Sequence, residues 1–146
     1  MARVIRDVMT EYGATGPGFS INDPEVDHMS RAYAAARSAY FVIEDDGGAV
    51  IGGAGVAPLA GADPATCELR KMYLLPAARG RGLGRQLLTL CLDTARRSDF
   101  RECYLETLAS MSEAARLYER AGFRRIDSPR GATGHCGCDR WYVLPL

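Results

Sequence analysis

The sequence predicts an α+β domain, and three observations carry that prediction. Six short runs have strand patterning, four segments carry apolar residues at helical spacing, and one strand-to-helix crossover passes through a loop rich in glycine and arginine. Along the chain the order is two helices, three strands, a helix, a strand, a helix and two strands.

Residues 3–12 place Val4, Ile5, Val8 and Met9 on one helical face, and Gly13 ends the run. After the polar loop ATGPGFSIN come Asp23 and Pro24. They have the chemistry of a helix start: a side-chain acceptor for free N–H groups, then a residue whose missing N–H costs nothing there. This predicts a second helix reaching Arg37. Ala39–Glu44 reads as a strand, Asp46-Gly47-Gly48 as a hairpin turn and residues 49–59 as the returning strand. Gly52, Gly53 and Gly55 in that strand mark a bulge or a close approach of another backbone or ligand.

Residues 68–75 form the central strand, with Glu68, Arg70, Met72 and Leu74 expected on one face because side chains alternate. Pro76 stops it, and helical spacing restarts at Leu83 with Leu87, Leu88, Cys91 and Ala95 on one side and Arg96 and Arg97 near the C-terminus. Glu102–Thr107 is the next strand. Ser110 and Glu113 have capping-box spacing, which predicts a helix reaching Ala121 with Gly122 as its stop. Residues 123–127 and 140–144 read as the last strands, on either side of the loop SPRGATGHCGC.

At 146 residues the chain is one domain, residues 1–146, large enough for a real core. Its 18 basic and 18 acidic residues cancel, so no long-range field favours nucleic acid or an anionic membrane, and the expected partner is a small molecule or a local peptide. No apolar run approaches the roughly 20 residues needed to span a bilayer. The N-terminus MARVIRDVMTEYG also lacks the apolar core of a secretion signal, so the expected place is the cytoplasm. Of the five cysteines, Cys67, Cys91 and Cys103 fall in apolar patterns as small hydrophobes, and no disulfide framework is expected. Cys136 and Cys138 flank a glycine beside His135. A zinc site needs four ligands from separated pairs, and His28 is the only other histidine, so no metal is expected.

The loop after the central strand has the makings of an anion cradle. A helix N-terminus leaves amide N–H groups unpaired and carries partial positive charge; Gly80, Gly82 and Gly84 let a ligand come close, and Arg79, Arg81 and Arg85 add charge. A P-loop needs Gly-Lys-Ser/Thr after its glycines, and no lysine follows these; a dinucleotide loop needs G-x-G-x-x-G, whereas the spacing here is G-x-G-x-G. What fits is Arg-x-x-Gly-x-Gly from Arg79 through Gly82 to Gly84, after a strand ending in Leu-Leu-Pro. This resembles motif A of the GNAT superfamily of N-acetyltransferases, as found in its small bacterial single-domain members, whose loop holds the pyrophosphate of acetyl-CoA.

The resemblance implies a mixed, mostly antiparallel sheet flanked by helices, acetyl-CoA as cosubstrate, and a cofactor site at Met72, Leu74, Arg79, Gly80, Arg81, Gly82, Leu83, Gly84 and Arg85. Backbone groups of Met72 and Leu74 would lie against the pantetheine arm as if it were an added strand. Family members usually open with a strand before the first helix, and here Met1 begins almost at the helix, so the usual first strand is missing. That leaves Ala39–Glu44 with an unpaired edge, to be covered in a homodimer or poorly protected.

Acetyl transfer to an amine needs a base, an oriented carbonyl, oxyanion stabilisation and a proton for the thiolate. By the resemblance, a glutamate eight residues before the proline acts as base, and Glu68 stands eight before Pro76. Burial in an apolar strand would raise its pKa. Read without the family, such a carboxylate is paired with an arginine. Leu117-Tyr118-Glu119-Arg120-Ala121-Gly122-Phe123 is similar to the family's LYEKxGF segment, whose tyrosine protonates the leaving thiolate; this implies Tyr118 as acid, against its reading as a core residue. Met111 stands seven residues before it, where many relatives carry Asn against the pantetheine.

Glu106 is the competing base or a substrate contact. His135, with Asp139 and Arg140, is in reach of an acceptor if the tail is more than a plain loop. The expected reaction is acetylation of a primary amine of a small molecule such as an amino acid or amine metabolite. Acetylation of a protein α-amine or lysine is the second reading. A non-catalytic acyl-CoA-binding module is the third, and it would need neither Glu68 nor Tyr118.

Overall fold

The computed structural model describes residues 1–146. The strands β1 (Ala39–Glu44), β2 (Val50–Pro58), β3 (Thr66–Leu74), β4 (Glu102–Thr107), β5 (Arg124–Ile126) and β6 (Arg140–Pro145) form one sheet in the order β1-β2-β3-β4-β6-β5. Only β3 and β4 are parallel; every other neighbouring pair is antiparallel. The parallel pair requires a crossover, and α3 (Leu83–Arg97) supplies it. This is the mixed, mostly antiparallel sheet with helices that the sequence predicts.

The main core lies between the sheet and α3. Leu87, Leu88, Cys91, Leu92 and Ala95 of the helix meet Val56, Leu69 and the buried free cysteines Cys67 and Cys103. Tyr118 of α4 (Ser112–Arg120) joins this cluster. A smaller cluster gathers Ile5 and Met9 of α1 (Ala2–Glu11) with Val26 and Met111, and Tyr73 packs against it. The glycines of β2 provide the close approach read from sequence: a Cβ on Gly53 would sit 2.7 Å from the Phe41 carbonyl oxygen, and one on Gly55 2.7 Å from the Tyr33 ring.

Three expectations are corrected. The helix predicted from Asp23 to Arg37 is a 3₁₀ turn at Pro24–His28, a break at His28 and a single turn of α2 at Met29–Ala32. The segment is tied sideways by Asp23 and Glu25, both ion-paired to Lys71, and tertiary contacts override helix propensity. The Ser110/Glu113 capping box does not form: α4 begins at Ser112 with Met111 at its N-cap and no side-chain cap, and Asp139 instead accepts a 2.7 Å hydrogen bond from the Ala109 N–H.

The third correction bears on the site. Glu68, Arg70, Met72 and Leu74 do not share a face. Gly53 pairs with Tyr73 and Gly55 with Arg70, so Lys71 and Met72 together oppose Ala54, and Lys71 takes a left-handed φ of 49°. This β-bulge resets the alternation. Met72 and Leu74 pack with Cys67 and Leu69 on the α3 core, whereas Arg70 and Lys71, consecutive in sequence, both reach Glu25.

Candidate active site

Two cavities meet on β3. The larger, about 450 Å³, opens between the end of β3, the start of α3 and α4. Gly80 and Gly82 form its rim with φ of 71° and 78°, a conformation that L side chains avoid. Gly82 is the N-cap of α3 and lines the cleft, and no side chain caps the helix, so its first amides have neither an intrahelical nor a side-chain acceptor. Gly84 lets the helix seat against the sheet: a Cβ there would meet Leu74 at 3.3 Å and Leu117 at 3.4 Å.

Of the predicted arginines, Arg85 lines the cleft and Arg81 is exposed outside it. Arg79 also lines it, but its Nε donates to the Leu74 carbonyl at 3.0 Å and its two terminal nitrogens grip Glu11 at 2.6 and 2.7 Å. It is a clamp between β3 and α1 whose charge is already paired. Leu83, in the first turn of α3, is half-buried and is not among the residues that line the cleft. The further cations of the cleft are Arg116 and Arg120 of α4, which sequence reasoning missed although their i, i+4 spacing puts them on one helical face.

Between the cavities the sheet splits. β3 and β4 pair only from Thr66 to Glu68, so the side of β3 turned toward β4 has no strand partner from Leu69 to Leu74. Apart from the Lys71 carbonyl, which accepts from Tyr40, and the Leu74 carbonyl, which accepts from Arg79, the backbone groups on that side are available to a ligand lying in the wedge, and Met72 and Leu74 line the cleft there.

The smaller cavity, about 60 Å³, brings together Glu68, Glu106, His135 and Tyr118, residues that sequence reasoning had named separately. Met72, Tyr73, Met111, Ala114 and Tyr118 line both cavities, so they form the wall across which the two communicate. Glu68 is 6% exposed and makes no hydrogen bond; its nearest charged neighbour is Arg70 Nε at 3.4 Å. Burial pushes its carboxyl up to about 7, with Arg70 opposing. Glu106 is occupied: it accepts from the Tyr104 hydroxyl at 2.5 Å and from Thr133 Oγ1 at 3.1 Å. Tyr118 is buried, and burial pushes its phenol well above the ordinary range, so it is protonated.

The cavity's polar floor is an ion-pair network that the sequence did not reveal. Lys71, almost wholly buried, pairs with Asp23 and lies 2.9 Å from Glu25; Arg70 donates to the same Glu25 oxygen at 2.8 Å. Asp23 also holds His135 Nε2 at 2.9 Å, while His135 Nδ1 lies 3.7 Å from Glu106. The hydrogen bond to Asp23 raises the His135 pKa against the effect of burial. Asp23 is itself drawn below the usual carboxylate range, because its bonds to His135 and Lys71 outweigh burial. Cys138 borders the cavity as a thiol, pushed up to about 12 by burial.

No helix is long and apolar enough to cross a membrane. Residues 5–123 match the model of the acetyltransferase (GNAT) family. The uncharacterized N-acetyltransferase YjgM of Escherichia coli (strain K12) is 46% identical over 140 residues, covering 95% of this chain and 83% of its own length. A GNAT-family acetyltransferase from Staphylococcus aureus Mu50 has the same fold, with a TM-score of 0.86 at 20% identity over 99% of this chain and 89% of its own. The yncA protein of Salmonella typhimurium, solved with its cofactor acetyl-CoA, superposes with a TM-score of 0.68 at 22% identity, over 100% of this chain and 90% of its own. A glycine-rimmed anion cradle, a split sheet and a family match across most of the chain lead to one conclusion: the chain belongs to the GNAT family of acetyltransferases, enzymes whose acetyl donor is acetyl-CoA.

Proposed function

We propose that the protein transfers the acetyl group of acetyl-CoA to a primary amine of a small molecule, with Glu68 as base and Tyr118 as acid. The observation that carries this reading is Glu68: a buried carboxylate with no hydrogen-bond donor of its own, in the cavity that meets the donor cleft at Tyr118. Glu106, the competing base, is held by Tyr104 and Thr133 and fits better as a wall that positions the acceptor.

The cleft fits the donor. Free amides at the start of α3, with Arg85, Arg116 and Arg120, suit a pyrophosphate, and the open side of β3 suits an extended amide-bearing arm. When bound, acetyl-CoA supplies an acyl thioester. Glu68 takes a proton from the acceptor ammonium and frees the nitrogen lone pair for the new C–N bond, while backbone N–H groups of β3 face the carbonyl oxygen. After attack the nitrogen still carries two protons; as the C–S bond breaks it sheds one to solvent, while Tyr118 gives its own proton to sulfur and is reprotonated from solvent.

A small acceptor is favoured over a polypeptide by the cavity itself. It measures about 60 Å³ and is covered by the tail, where the Gly137 N–H donates to the Gly18 carbonyl at 3.0 Å and His135 reaches Asp23. The test is release of coenzyme A against a panel of amines and peptides. Turnover on a small primary amine that Glu68→Gln lowers by about 10² to 10⁴ is expected; turnover on peptides alone would reassign the acceptor.

A further inference from the structure

We propose that the acceptor carries a carboxylate beside its amine, bound by Arg70 and the Ser20–Tyr73 hydroxyl pair, so that the substrate class is the α-amino acids. The inference rests on the small-amine reading above and starts from a hydrogen-bond mismatch. Arg70 lines the acceptor cavity and spends its Nη2 on Glu25 at 2.8 Å, yet its Nε is buried with no hydrogen-bond partner. Glu68 Oε2 is 3.4 Å away but lies outside hydrogen-bonding geometry. A buried guanidinium nitrogen is rarely left unpaired, and a carboxylate is the acceptor that matches it best.

A second donor points the same way. Ser20 Oγ and Tyr73 Oη are 2.6 Å apart and both border the cavity. One hydroxyl donates to the other, so one hydrogen of the pair remains for a guest. Lys71 is not a further candidate, because Asp23 and Glu25 already engage its ammonium. Beside the Tyr118 hydroxyl assigned to the leaving sulfur, the cavity therefore offers Glu68 as an acceptor and Arg70 and the hydroxyl pair as donors, with Glu68 and Arg70 Nε ion-paired but not hydrogen-bonded to each other.

A plain amine satisfies only Glu68. An α-amino acid carries its amine and its carboxylate on one carbon, which suits receptor groups whose charged atoms stand 3.4 Å apart. Net charge does not oppose it: once Glu68 has taken the proton, Asp23, Glu25 and Glu106 face Arg70, Lys71 and His135, whose charged form Asp23 favours. Arg70 is also fixed in place, with its guanidinium carbon 5.9 Å from the centre of the Tyr33 ring.

The test compares the common L-amino acids with their primary amides, as acetyl acceptors and as ligands titrated calorimetrically into the protein with coenzyme A bound. At least one acid should be used with a kcat/KM about 10 to 10² times that of its amide, the worth of hydrogen bonds to a charged group. Arg70→Gln should erase that discrimination by raising KM for the acid, with acetyl-CoA affinity intact as proof of folding. An amide used as well as its acid, or an Arg70→Gln variant that still discriminates between the two, overturns the proposal. Binding that needs both the carboxylate and Arg70 without any acetylation would sink the acetyl-transfer reading and leave this site standing; absence of amino-acid binding sinks the site.

Discussion

His135 and Asp23 lie 112 positions apart in the chain and meet through a 2.9 Å contact between Nε2 and Oδ2. The contact fastens the tail over the acceptor cavity, onto the segment that also anchors Lys71. His135→Ala should therefore raise the acceptor KM while acetyl-CoA affinity, measured by calorimetry, stays unchanged. Equal loss of both would mean a purely structural role.

The same pair makes stability depend on pH. Asp23 raises the His135 pKa in the folded state, so the contribution is fully present below the ordinary value of 6.5 and is lost as pH rises through the folded one. Thermal unfolding across this window should show a downward slope that His135→Ala reduces.

Glu68 must be ionised to act, so kcat/KM should fall as pH drops below about 7, and Glu68→Gln should remove that limb. Turnover should fall by about 10² to 10⁴ with acetyl-CoA affinity retained. A carboxyl whose folded pKa is raised by burial destabilises the fold as pH climbs from 4.5 through about 7. Glu68→Gln should consequently raise the melting temperature at pH 8, an inactive variant more stable than its parent.

Tyr118→Phe keeps the ring that packs on Phe123 at a centroid distance of 5.9 Å and removes only the hydroxyl. Turnover should fall with little change in stability. Full retention would pass the acid role to solvent.

Gly82→Asp should abolish acetyl-CoA binding. Nothing lies within 4 Å of a Cβ there, so the substitution adds charge and backbone strain without a clash. Gly82→Asn meets the same backbone demand, since Asn tolerates a left-handed φ, and supplies no charge. An affinity at least tenfold weaker for Asp than for Asn isolates repulsion of phosphate, about 1.4 kcal/mol or more.

β1 pairs on one side only, with Val42 at 48% exposure on it. Its outward amides should exchange fast in a monomer and slowly only where light scattering finds a dimer. Strong protection in a proven monomer would contradict this.

The donor cleft was legible because its signal is local: Gly80, Gly82 and Gly84 stand in one turn between a strand and a helix. Glu68 and Tyr118 were singled out through resemblance, each within a short segment, and the fold brings both to the smaller cavity. The acceptor floor was not, since Asp23 and Glu25 reach Lys71 across more than 45 residues, and Asp23 beside Pro24 reads as an ordinary helix cap. Period-two reading failed at Lys71 for a related reason. On β3 itself neither glycine nor proline marks that bulge, although Gly53 and Gly55, read as the sign of a bulge or close approach, stand across from it on β2; it is held by ion pairs from a distant segment and by the Tyr40 hydroxyl, which donates to the Lys71 carbonyl at 2.7 Å. Arg79 was read correctly as part of the loop but not as Glu11's partner, for the same lack of a local signal.

The reset at Lys71 gives β3 two ends that can vary separately. On the proposed reading, substitutions at Glu68 and Arg70 alter what is presented to the amine and those at Leu74 the grip on the donor, whereas Met72 and Tyr73 line both cavities and answer to both. Retuning acceptor choice by exchange of Arg70 is thus open to selection or engineering without loss of the acetyl source. Excising Lys71, by contrast, restores strict alternation with Met72 and Leu74 still on the α3 side, so what a single lost codon removes there is the buried ammonium that Asp23 and Glu25 hold.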